Sequence, residues 1–229
     1  MKVIILSGGI GKRLKPITDH VPKPLVTLNN IPIIEWQIRY FKKFGINEFV
    51  VCAGYKSDQI INYLKPKKNE VKIDYSIEKT SLGTGGAIKN ASDFIDDENF
   101  FVINGDVITN LDPIKLKTNP NSIAVIPLKT SFGILTLNKN KVKRFEEKPE
   151  ISDHWMNAGI YYLSKEILKH LPKKGSMENI TFPILASLGS LFAVKYEKSF
   201  WYSIDSHKDI EECEIKMRSL NYEKFISKK

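Results

Sequence analysis

The sequence predicts an α/β fold built on a doubly wound, mostly parallel sheet, with an antiparallel insert. Two observations support this. In the first half of the chain, short apolar strands alternate with helical segments, as in parallel sheets with helical crossovers. After Asp106, strand-like segments follow one another across turns, which is typical of antiparallel pairing. At 229 residues the chain fits one large domain of Rossmann-like type with a substantial core.

The first half begins with an apolar strand at residues 3–6. A helix is predicted over 30–44, because Pro32 suits a first helical turn and Gly45 a helix stop. The remaining strands of this half are predicted at 49–53, 71–77 and 100–103, and the remaining helices at 58–64 and 84–92.

The second half is richer in strand. Strands are predicted at 122–127, 133–137, 141–145, 157–163, 191–196 and 200–204, and helices at 165–170 and 180–187. A last helix begins at Ser206, because Ser206 and Asp209 have capping-box spacing. We expect one domain over residues 1–220 and a basic C-terminal tail at 221–229, frayed from Lys224 to Lys229.

Bulk properties exclude several classes of protein. No apolar run approaches the length of a membrane span, and the first apolar strand is too short for a signal peptide, so we expect a cytoplasmic protein without a membrane partner. Cys52 and Cys213 lack metal-ligand spacing and are expected to be reduced core thiols. The net charge of +9 is spread along the chain without a nucleic-acid-binding motif, which favours small anionic substrates over nucleic acid.

A glycine-rich loop directly follows the first strand. Gly8, Gly9 and Gly11 allow the backbone to approach a phosphate or a base closely and to point N–H groups at it. Arg13 can form forked hydrogen bonds with phosphate oxygens, and Lys23 can act as a mobile point charge. The loop therefore predicts a polyphosphate site.

Two commoner phosphate loops are excluded. Arg13 follows Gly11-Lys12 where a P-loop has serine or threonine, and no glycine lies five residues before Gly11. A dinucleotide-binding GxGxxG pattern fails because Leu14 occupies its last position and Pro16 interrupts the helix that should follow.

The run GGIGKRLKPITDHVPKPL at residues 8–25 resembles the signature of the sugar-1-phosphate nucleotidylyltransferases, also called nucleotide-sugar pyrophosphorylases. Five further blocks follow in the order typical of that family. They are Glu78 with Leu82-Gly83-Thr84-Gly85-Gly86-Ala87, Asn104-Gly105-Asp106, Glu146-Glu147-Lys148-Pro149, Asn157-Ala158-Gly159, and Trp201 with Asp205. The resemblance covers residues 1 to about 212. It implies transfer of a nucleotidyl group from a nucleoside triphosphate to a sugar 1-phosphate, with Mg²⁺ as cofactor.

The resemblance implies four catalytic residues: Arg13, Lys23, Asp106 and Asp205, of which the two aspartates would bind Mg²⁺. Asp106 also follows a predicted parallel strand, where open α/β sheets bind their ligands; the alternative is a turn aspartate bonded to its own backbone. Many family members place the second aspartate at the position of Ser203. A two-residue shift along a strand keeps the same face, so Asp205 can supply this ligand, unless it merely flanks the helix cap.

The remaining site residues are also carried over by resemblance. The predicted nucleotide-binding residues are Leu6, Gly8, Gly9, Gly11, Glu78, Leu82 and Gly83. The predicted sugar-phosphate-binding residues are Gly133, Glu147, Lys148 and Asn157, with Lys148 on the phosphate.

Glu78 bears on the choice of base. Members that use UTP or dTTP commonly have glutamine here, which both donates and accepts as uracil and thymine require. An ionised glutamate only accepts, and it suits the adjacent N1–H and N2 amino donors of guanine. Glu78 therefore favours GTP, and the chain most resembles the mannose-1-phosphate guanylyltransferases. The alternatives are a heptose-1-phosphate guanylyltransferase, a glucose-1-phosphate uridylyl- or thymidylyltransferase, and an inactive regulatory homologue that binds a nucleotide sugar. A homo-oligomer is compatible with the sequence.

Overall fold

The computed structural model describes residues 1–66, 70–130 and 132–227. Its strands are β1 (Lys2–Ser7), β2 (Thr27–Leu28), β3 (Ile31–Pro32), β4 (Glu48–Ala53), β5 (Lys72–Ile77), β6 (Asn99–Asn104), β7 (Val107–Thr109), β8 (Ser122–Lys129), β9 (Ile134–Asn138), β10 (Lys141–Glu146), β11 (Glu150–Ser164), β12 (Phe192–Lys195) and β13 (Trp201–Ser203). Its α-helices are α1 (Ile17–His20), α2 (Ile33–Lys43), α3 (Ser57–Leu64), α4 (Gly83–Asn90), α5 (Met177–Ser187), α6 (His207–Ser219) and α7 (Tyr222–Ser227). Short 3₁₀ helices include Lys12–Leu14, Lys23–Leu25, Ser92–Phe94, Pro113–Thr118 and Lys165–Lys169.

A seven-stranded sheet with the order β12-β8-β11-β6-β1-β4-β5 forms the centre of the molecule. Strands β6, β1, β4 and β5 run parallel. The long strand β11 pairs antiparallel with both β6 and β8, and β12 is parallel to β8. The predicted mixed, mostly parallel α/β sheet is confirmed.

Alternation along the central strands supplies a core on each face of the sheet. Val3 and Ile5 of β1 point to one face, where α2 and α3 pack, while Ile4 points to the other face, with α4 and α5. Strand side chains alternate between faces, so an apolar strand buried on both sides reads as a continuous apolar run. A third cluster joins the segment after β1 to α6 through Leu14 and Cys213.

The predicted antiparallel insert is divided in the structure. Strands β9 and β10 form a separate hairpin, whereas β8 and β11 extend the main sheet. Another two-stranded ladder pairs β7 with β13, placing Val107 opposite Ser203. This ladder brings residues from opposite ends of the second half together, and it sets the position of the site described below.

Several predicted boundaries are corrected. Helix α2 begins at Ile33 rather than at residue 30 because Asn29 and Asn30 have positive φ values of 48° and 64° and form the turn between β2 and β3. The predicted helix at 165–170 is a 3₁₀ helix.

The expectation of a frayed tail from Lys224 is wrong as far as Ser227. Helix α7 buries Tyr222, and Phe225 and Ile226 pack against the core. Lys228 and Lys229 lie outside the described residues.

Cys52 and Cys213 are buried and free, as predicted. Among the described residues, no helix combines the length and apolar character needed to cross a membrane.

Candidate active site

A cleft of about 400 Å³ opens at the carboxyl ends of the parallel strands. Since β1, β5 and β6 run in the same direction, the segments that follow them meet at one edge of the sheet. Ten of the predicted site residues line this cleft: Leu6, Gly8, Gly9, Gly11, Arg13, Lys23, Glu78, Gly83, Asp106 and Asp205. The structure therefore brings the predicted phosphate-binding, base-binding and metal-binding residues together.

Close backbone approaches shape the floor of the cleft. The Gly105 N–H donates to the Leu6 carbonyl at 3.0 Å, and a Cβ at position 105 would lie 2.3 Å from that same oxygen. Gly11 has a φ of +68°, and a Cβ there would lie 3.1 Å from the Lys23 Cβ. At position 105 a side chain would displace the backbone that presents Asp106, and at position 11 glycine is favoured by the left-handed backbone.

We expect Gly105→Ala to lower the free energy of unfolding by about 1–3 kcal/mol, because the added methyl overlaps a main-chain oxygen that cannot rotate away. Urea unfolding measures this difference. Gly9→Ala is the matched control, since a Cβ there meets nothing within 4 Å, and its effect should stay within about 0.5 kcal/mol. Equal stability of the two variants would contradict this account of position 105.

Two carboxylates and two cations form a cluster at the mouth of the cleft. The Lys23 ammonium lies 2.7 Å from Asp106 Oδ2 and 2.8 Å from Asp205 Oδ1. An Arg13 Nη donates to the same Asp205 oxygen at 2.9 Å. Lys23 is mostly buried, with 14% of its side chain exposed, whereas the Arg13 side chain is 76% exposed. Lys23 is thus fixed at the centre of the cluster, while Arg13 extends over its open side.

The β7–β13 ladder positions both aspartates. Asp106 immediately precedes β7, and its carbonyl accepts from the Ile204 N–H at 3.0 Å. Asp205 lies between β13 and α6, where its N–H donates to Asp209 of the capping box at 3.0 Å. The Ser203 hydroxyl donates to Asp205 Oδ2 at 3.1 Å. The predicted capping box is confirmed, and it fixes the backbone of Asp205 rather than engaging its carboxylate.

The electrostatics of Asp205 follow from these contacts. Partial burial alone would raise its pKa, but the hydrogen bond and charge of Lys23, the charge of Arg13 and the Ser203 hydroxyl together bring the pKa below its usual value. Asp205 therefore stays ionised at neutral pH.

The carboxylates of Asp106 and Asp205 are arranged so that both could contact one divalent cation. Asp106 Oδ2 and Asp205 Oδ1 converge on a single positively charged atom, the Lys23 Nζ. Hard oxygen ligands are the donors that Mg²⁺ prefers, and it usually takes one or two carboxylates together with phosphate oxygens and water. Within the described residues, no group of three acidic, histidine or cysteine side chains surrounds a common point. A metal ion here would thus need substrate oxygens to complete its coordination.

Glu78 follows β5 and turns into the cleft beside the glycine loop. Its Oε2 accepts from the Leu82 N–H at 2.9 Å, and a Cβ at position 8 would lie 2.3 Å from its Oε1. Burial raises the pKa of the Glu78 carboxyl, and the Leu82 N–H offsets part of that rise. Leu82, predicted to bind nucleotide, lies outside the cleft lining, and its N–H donates the hydrogen bond that holds Glu78.

The predicted sugar-phosphate residues lie apart from this cleft lining. Glu147 and Lys148 follow the β9–β10 hairpin with both side chains 62% exposed. A Cβ at Gly133 would lie 3.1 Å from Glu147 Oε2, so these two positions adjoin. Asn157, on β11, donates to the Tyr161 hydroxyl at 2.8 Å and accepts from the Gly159 N–H at 2.9 Å. Their role in sugar binding stays a prediction.

Sequence reasoning missed five polar residues that line the cleft: Ser7, Lys12, Ser81, Thr84 and Asn104. Thr84 and Asn104 lie inside blocks already singled out, so their position beside Gly83 and Gly105 was an available signal. Ser7 Oγ and Asn104 Oδ1 are buried and have no hydrogen-bond partner within the described part of the chain. Unpaired buried polar atoms at a cleft are suited to meet polar groups of a ligand.

Comparison with known proteins agrees with this arrangement. The sequence matches the family described as Nucleotidyl transferase over residues 2–218. It is 39% identical over 185 residues to the D-glycero-alpha-D-manno-heptose 1-phosphate guanylyltransferase of Campylobacter jejuni subsp. jejuni, covering 78% of this chain and 83% of that protein. It is 34% identical over 226 residues to a mannose-1-phosphate guanyltransferase of Aspergillus fumigatus, covering 91% of this chain. The chain spans 62% of that longer relative.

Solved structures are also similar to this chain. HddC from Yersinia pseudotuberculosis superposes with a TM-score of 0.73 at 30% identity, covering 94% of this chain and 99% of that chain. A second HddC structure, complexed with GMP-PN, has a TM-score of 0.70 at 29% identity over the same shares of the two chains. The fold, the convergence of Arg13, Lys23, Asp106 and Asp205, and a sequence match along nearly the whole chain agree: this chain belongs to the nucleotidyl transferase family of enzymes.

Proposed function

We propose that this enzyme transfers a guanylyl group from GTP to the 1-phosphate of a sugar with a manno-configured ring, forming a GDP-sugar and pyrophosphate. The observation that carries the proposal is the carboxylate of Glu78 inside the cleft that also holds Lys23, Asp106 and Asp205. An acceptor-only group at the base end suits guanine, and a cation–carboxylate cluster at the phosphate end suits nucleotidyl transfer.

The choice of GTP follows from the environment of Glu78. One carboxylate oxygen is bound to the Leu82 N–H, which fixes the orientation of the group. Guanine presents two adjacent donors to such an acceptor, whereas uracil and thymine present a donor and acceptors. Both curated relatives compared above are named guanylyltransferases, and one HddC structure contains GMP-PN. These facts support guanine.

The choice of sugar rests on the relatives. Mannose and D-glycero-α-D-manno-heptose, named for the two curated enzymes, share the manno ring and differ at the exocyclic carbon. Mannose 1-phosphate is the substrate favoured by the family resemblance, and the 39% identity to the heptose enzyme supports heptose 1-phosphate as the second candidate. The proposed substrate therefore has a manno-configured ring, and the assay described below distinguishes the two exocyclic groups.

The reaction needs alignment and charge neutralisation rather than a covalent enzyme nucleophile. An oxygen of the sugar phosphate attacks the α-phosphorus of GTP and forms a new P–O bond. The bond from that phosphorus to the α,β-bridging oxygen breaks, and pyrophosphate leaves with the electron pair. Lys23 neutralises charge at the α-phosphate, Arg13 binds the departing pyrophosphate, and Lys148 binds the sugar phosphate.

Asp106 and Asp205 would hold the Mg²⁺ ion, since their oxygens converge where the Lys23 ammonium lies. When bound, Mg²⁺ supplies charge stabilisation at the phosphate oxygens. The aspartates also orient Lys23, and Ser203 holds the second oxygen of Asp205. In this way the two aspartates hold Lys23 and Arg13 on the side of the cleft where the phosphates are proposed to bind.

A matrix of nucleoside triphosphates against sugar 1-phosphates, with Mg²⁺ and pyrophosphate release as the readout, tests the proposal. We expect the highest kcat/KM with GTP and a manno-configured sugar 1-phosphate. Highest activity with UTP or dTTP and glucose 1-phosphate would replace it with the uridylyl- or thymidylyltransferase alternative. Tight binding of a GDP-sugar without turnover of any pair would favour the regulatory homologue.

Glu78→Gln is expected to lower kcat/KM for GTP on the order of tenfold relative to UTP, because the amide presents a donor to one of the guanine donors. The measurement is the ratio of kcat/KM for the two triphosphates at fixed sugar phosphate. Glu166→Gln, an exposed change on the 3₁₀ helix Lys165–Lys169, is the control. An unchanged ratio in Glu78→Gln would remove Glu78 from base selection.

A further inference from the structure

One carboxylate outside the cleft lining accepts hydrogen bonds from three hydroxyls on three different segments. Glu178 lies in the first turn of α5. Its Oε2 accepts from Thr84 of α4 and from Ser176, the latter at 2.7 Å. Its Oε1 accepts from the Tyr161 hydroxyl of β11 at 3.4 Å. The carboxylate thus connects two helices and the long central strand.

The contact with Thr84 reaches the nucleotide side of the cleft. Thr84 lines the cleft directly after Gly83, and its Oγ1 also accepts from the Met177 N–H at 2.9 Å. The neighbouring backbone is joined in the same way, because the Gly175 N–H donates to the Leu82 carbonyl at 2.7 Å. The start of α4 is therefore bound to the start of α5, and Glu178 holds the Thr84 hydroxyl at that junction.

The contact with Tyr161 reaches the predicted sugar side. Tyr161 is fully buried, and its hydroxyl accepts from the Asn157 amide at 2.8 Å while donating to Glu178. Burial, and then the charge of Glu178, raise the pKa of Tyr161, so the hydroxyl keeps its proton and remains a donor. Because the other end of the Asn157 amide accepts from the Gly159 N–H, the orientation of Asn157 is fixed at both ends.

Helix capping does not account for this carboxylate. The N-cap of α5 is Ser176, whose hydroxyl accepts from the Asn179 N–H at 3.2 Å. Helix α5 is therefore capped without Glu178. What Glu178 adds is a continuous chain of hydrogen bonds from Thr84 through Tyr161 to Asn157.

We propose that Glu178 is a positioning residue that couples the nucleotide-facing start of α4 to Asn157 on the sugar side. The inference rests on the proposed function and deepens it, because in-line transfer requires both substrates at a fixed relative position. Glu178 acts through Thr84 and Tyr161, so its loss should change how well the two substrates are aligned more than how tightly the nucleotide binds.

The kinetic test compares Glu178→Gln with the surface control Glu166→Gln. In Glu178→Gln we expect kcat to fall about tenfold, as for loss of hydrogen bonds to a charged group, with the KM for GTP within about twofold of wild type. Thr84→Val should reproduce this loss and Thr84→Ser should retain activity. The double variant Thr84→Val/Glu178→Gln should be no slower than either single variant, because residues in one network are not additive. Full additivity, or kcat within twofold of wild type in Glu178→Gln, would overturn the coupling.

Hydrogen–deuterium exchange of the substrate-free protein supplies a readout that does not depend on turnover. Glu178→Gln should speed exchange of peptides covering both 82–87 and 157–159, whereas Glu166→Gln should change neither. Faster exchange confined to the first turn of α5 would reduce Glu178 to a local structural residue. An inactive wild-type protein would instead count against the proposed function, while this exchange experiment would still test the coupling.

Discussion

Replacing Asp106 by alanine is expected to lower kcat on the order of 10³-fold, the scale seen when one preorganised charge-stabilising group is lost. Its Oδ2 is one of the two carboxylate oxygens that meet at Lys23. The backbone contribution of residue 106 survives the substitution, since the Ile204 N–H bonds to its main-chain carbonyl. Activity should therefore fall without loss of the β7–β13 ladder.

Pyrophosphate release and thermal unfolding, measured on the same preparation, separate these effects. Asp93→Ala, an exposed change in the 3₁₀ helix Ser92–Phe94, is the control and should retain wild-type kcat. If Asp106→Ala keeps more than a tenth of wild-type activity, Asp106 is not part of the metal and phosphate machinery. A large fall in melting temperature would show instead that the carboxylate supports the fold.

Lys23→Met should change two measured quantities in opposite directions. Turnover should fall on the order of 10²-fold, because the group proposed to neutralise the α-phosphate is gone. Affinity for Mn²⁺ in the absence of nucleotide should rise about tenfold or more, because the ammonium no longer neutralises the two aspartates from within 3 Å. In wild type, by contrast, a metal ion bound as proposed would have to compete with Lys23 for these carboxylates.

Electron paramagnetic resonance of Mn²⁺ measures that affinity without turnover. Lys208→Met, in an exposed pair with Glu212, should leave both quantities unchanged. Adding Asp106→Ala to Lys23→Met should abolish the gain in affinity, which ties the gain to these two carboxylates. Unchanged or weaker Mn²⁺ binding in Lys23→Met would show that the ammonium does not occupy the cation position.

The sequence was sufficient to predict the central sheet and much of the cleft because the relevant signals are local. Apolar runs mark β1, β4 and β6, and glycine blocks mark the turns that follow strands at one sheet edge. Since parallel strands bring these turns together, the sheet topology favours a site that contains the glycine loop and Asp106, whereas Glu78 is placed in that site by the family resemblance.

The features that the sequence did not predict depend mostly on contacts between segments that are distant in the chain. The three-residue strands β7 and β13 carry little periodicity, so nothing in the sequence showed that Ser203 pairs with Val107. The Glu178 network joins residues 94 positions apart in sequence at Thr84, and no local pattern indicates such a contact. Helix α7 was not predicted because the basic composition of this segment indicates an exposed tail, although Tyr222 and Phe225 pack against the core. The β2–β3 turn moved the start of α2 for a similar reason, since two asparagines adopt left-handed backbone.

The short β7–β13 ladder has a consequence for how the protein is made. It unites two aspartates that are separated by nearly half of the chain, so the N-terminal portion carries an incomplete centre until residue 205 has been translated. The parallel strands β1, β4, β5 and β6 all lie within the first 104 residues, whereas β11, which pairs with β6, comes later in the chain. The cluster is complete only once β13 and the capping box of α6, which together hold Asp205, have been synthesised. A chain that ends before Asp205 lacks one of the two carboxylates that contact Lys23.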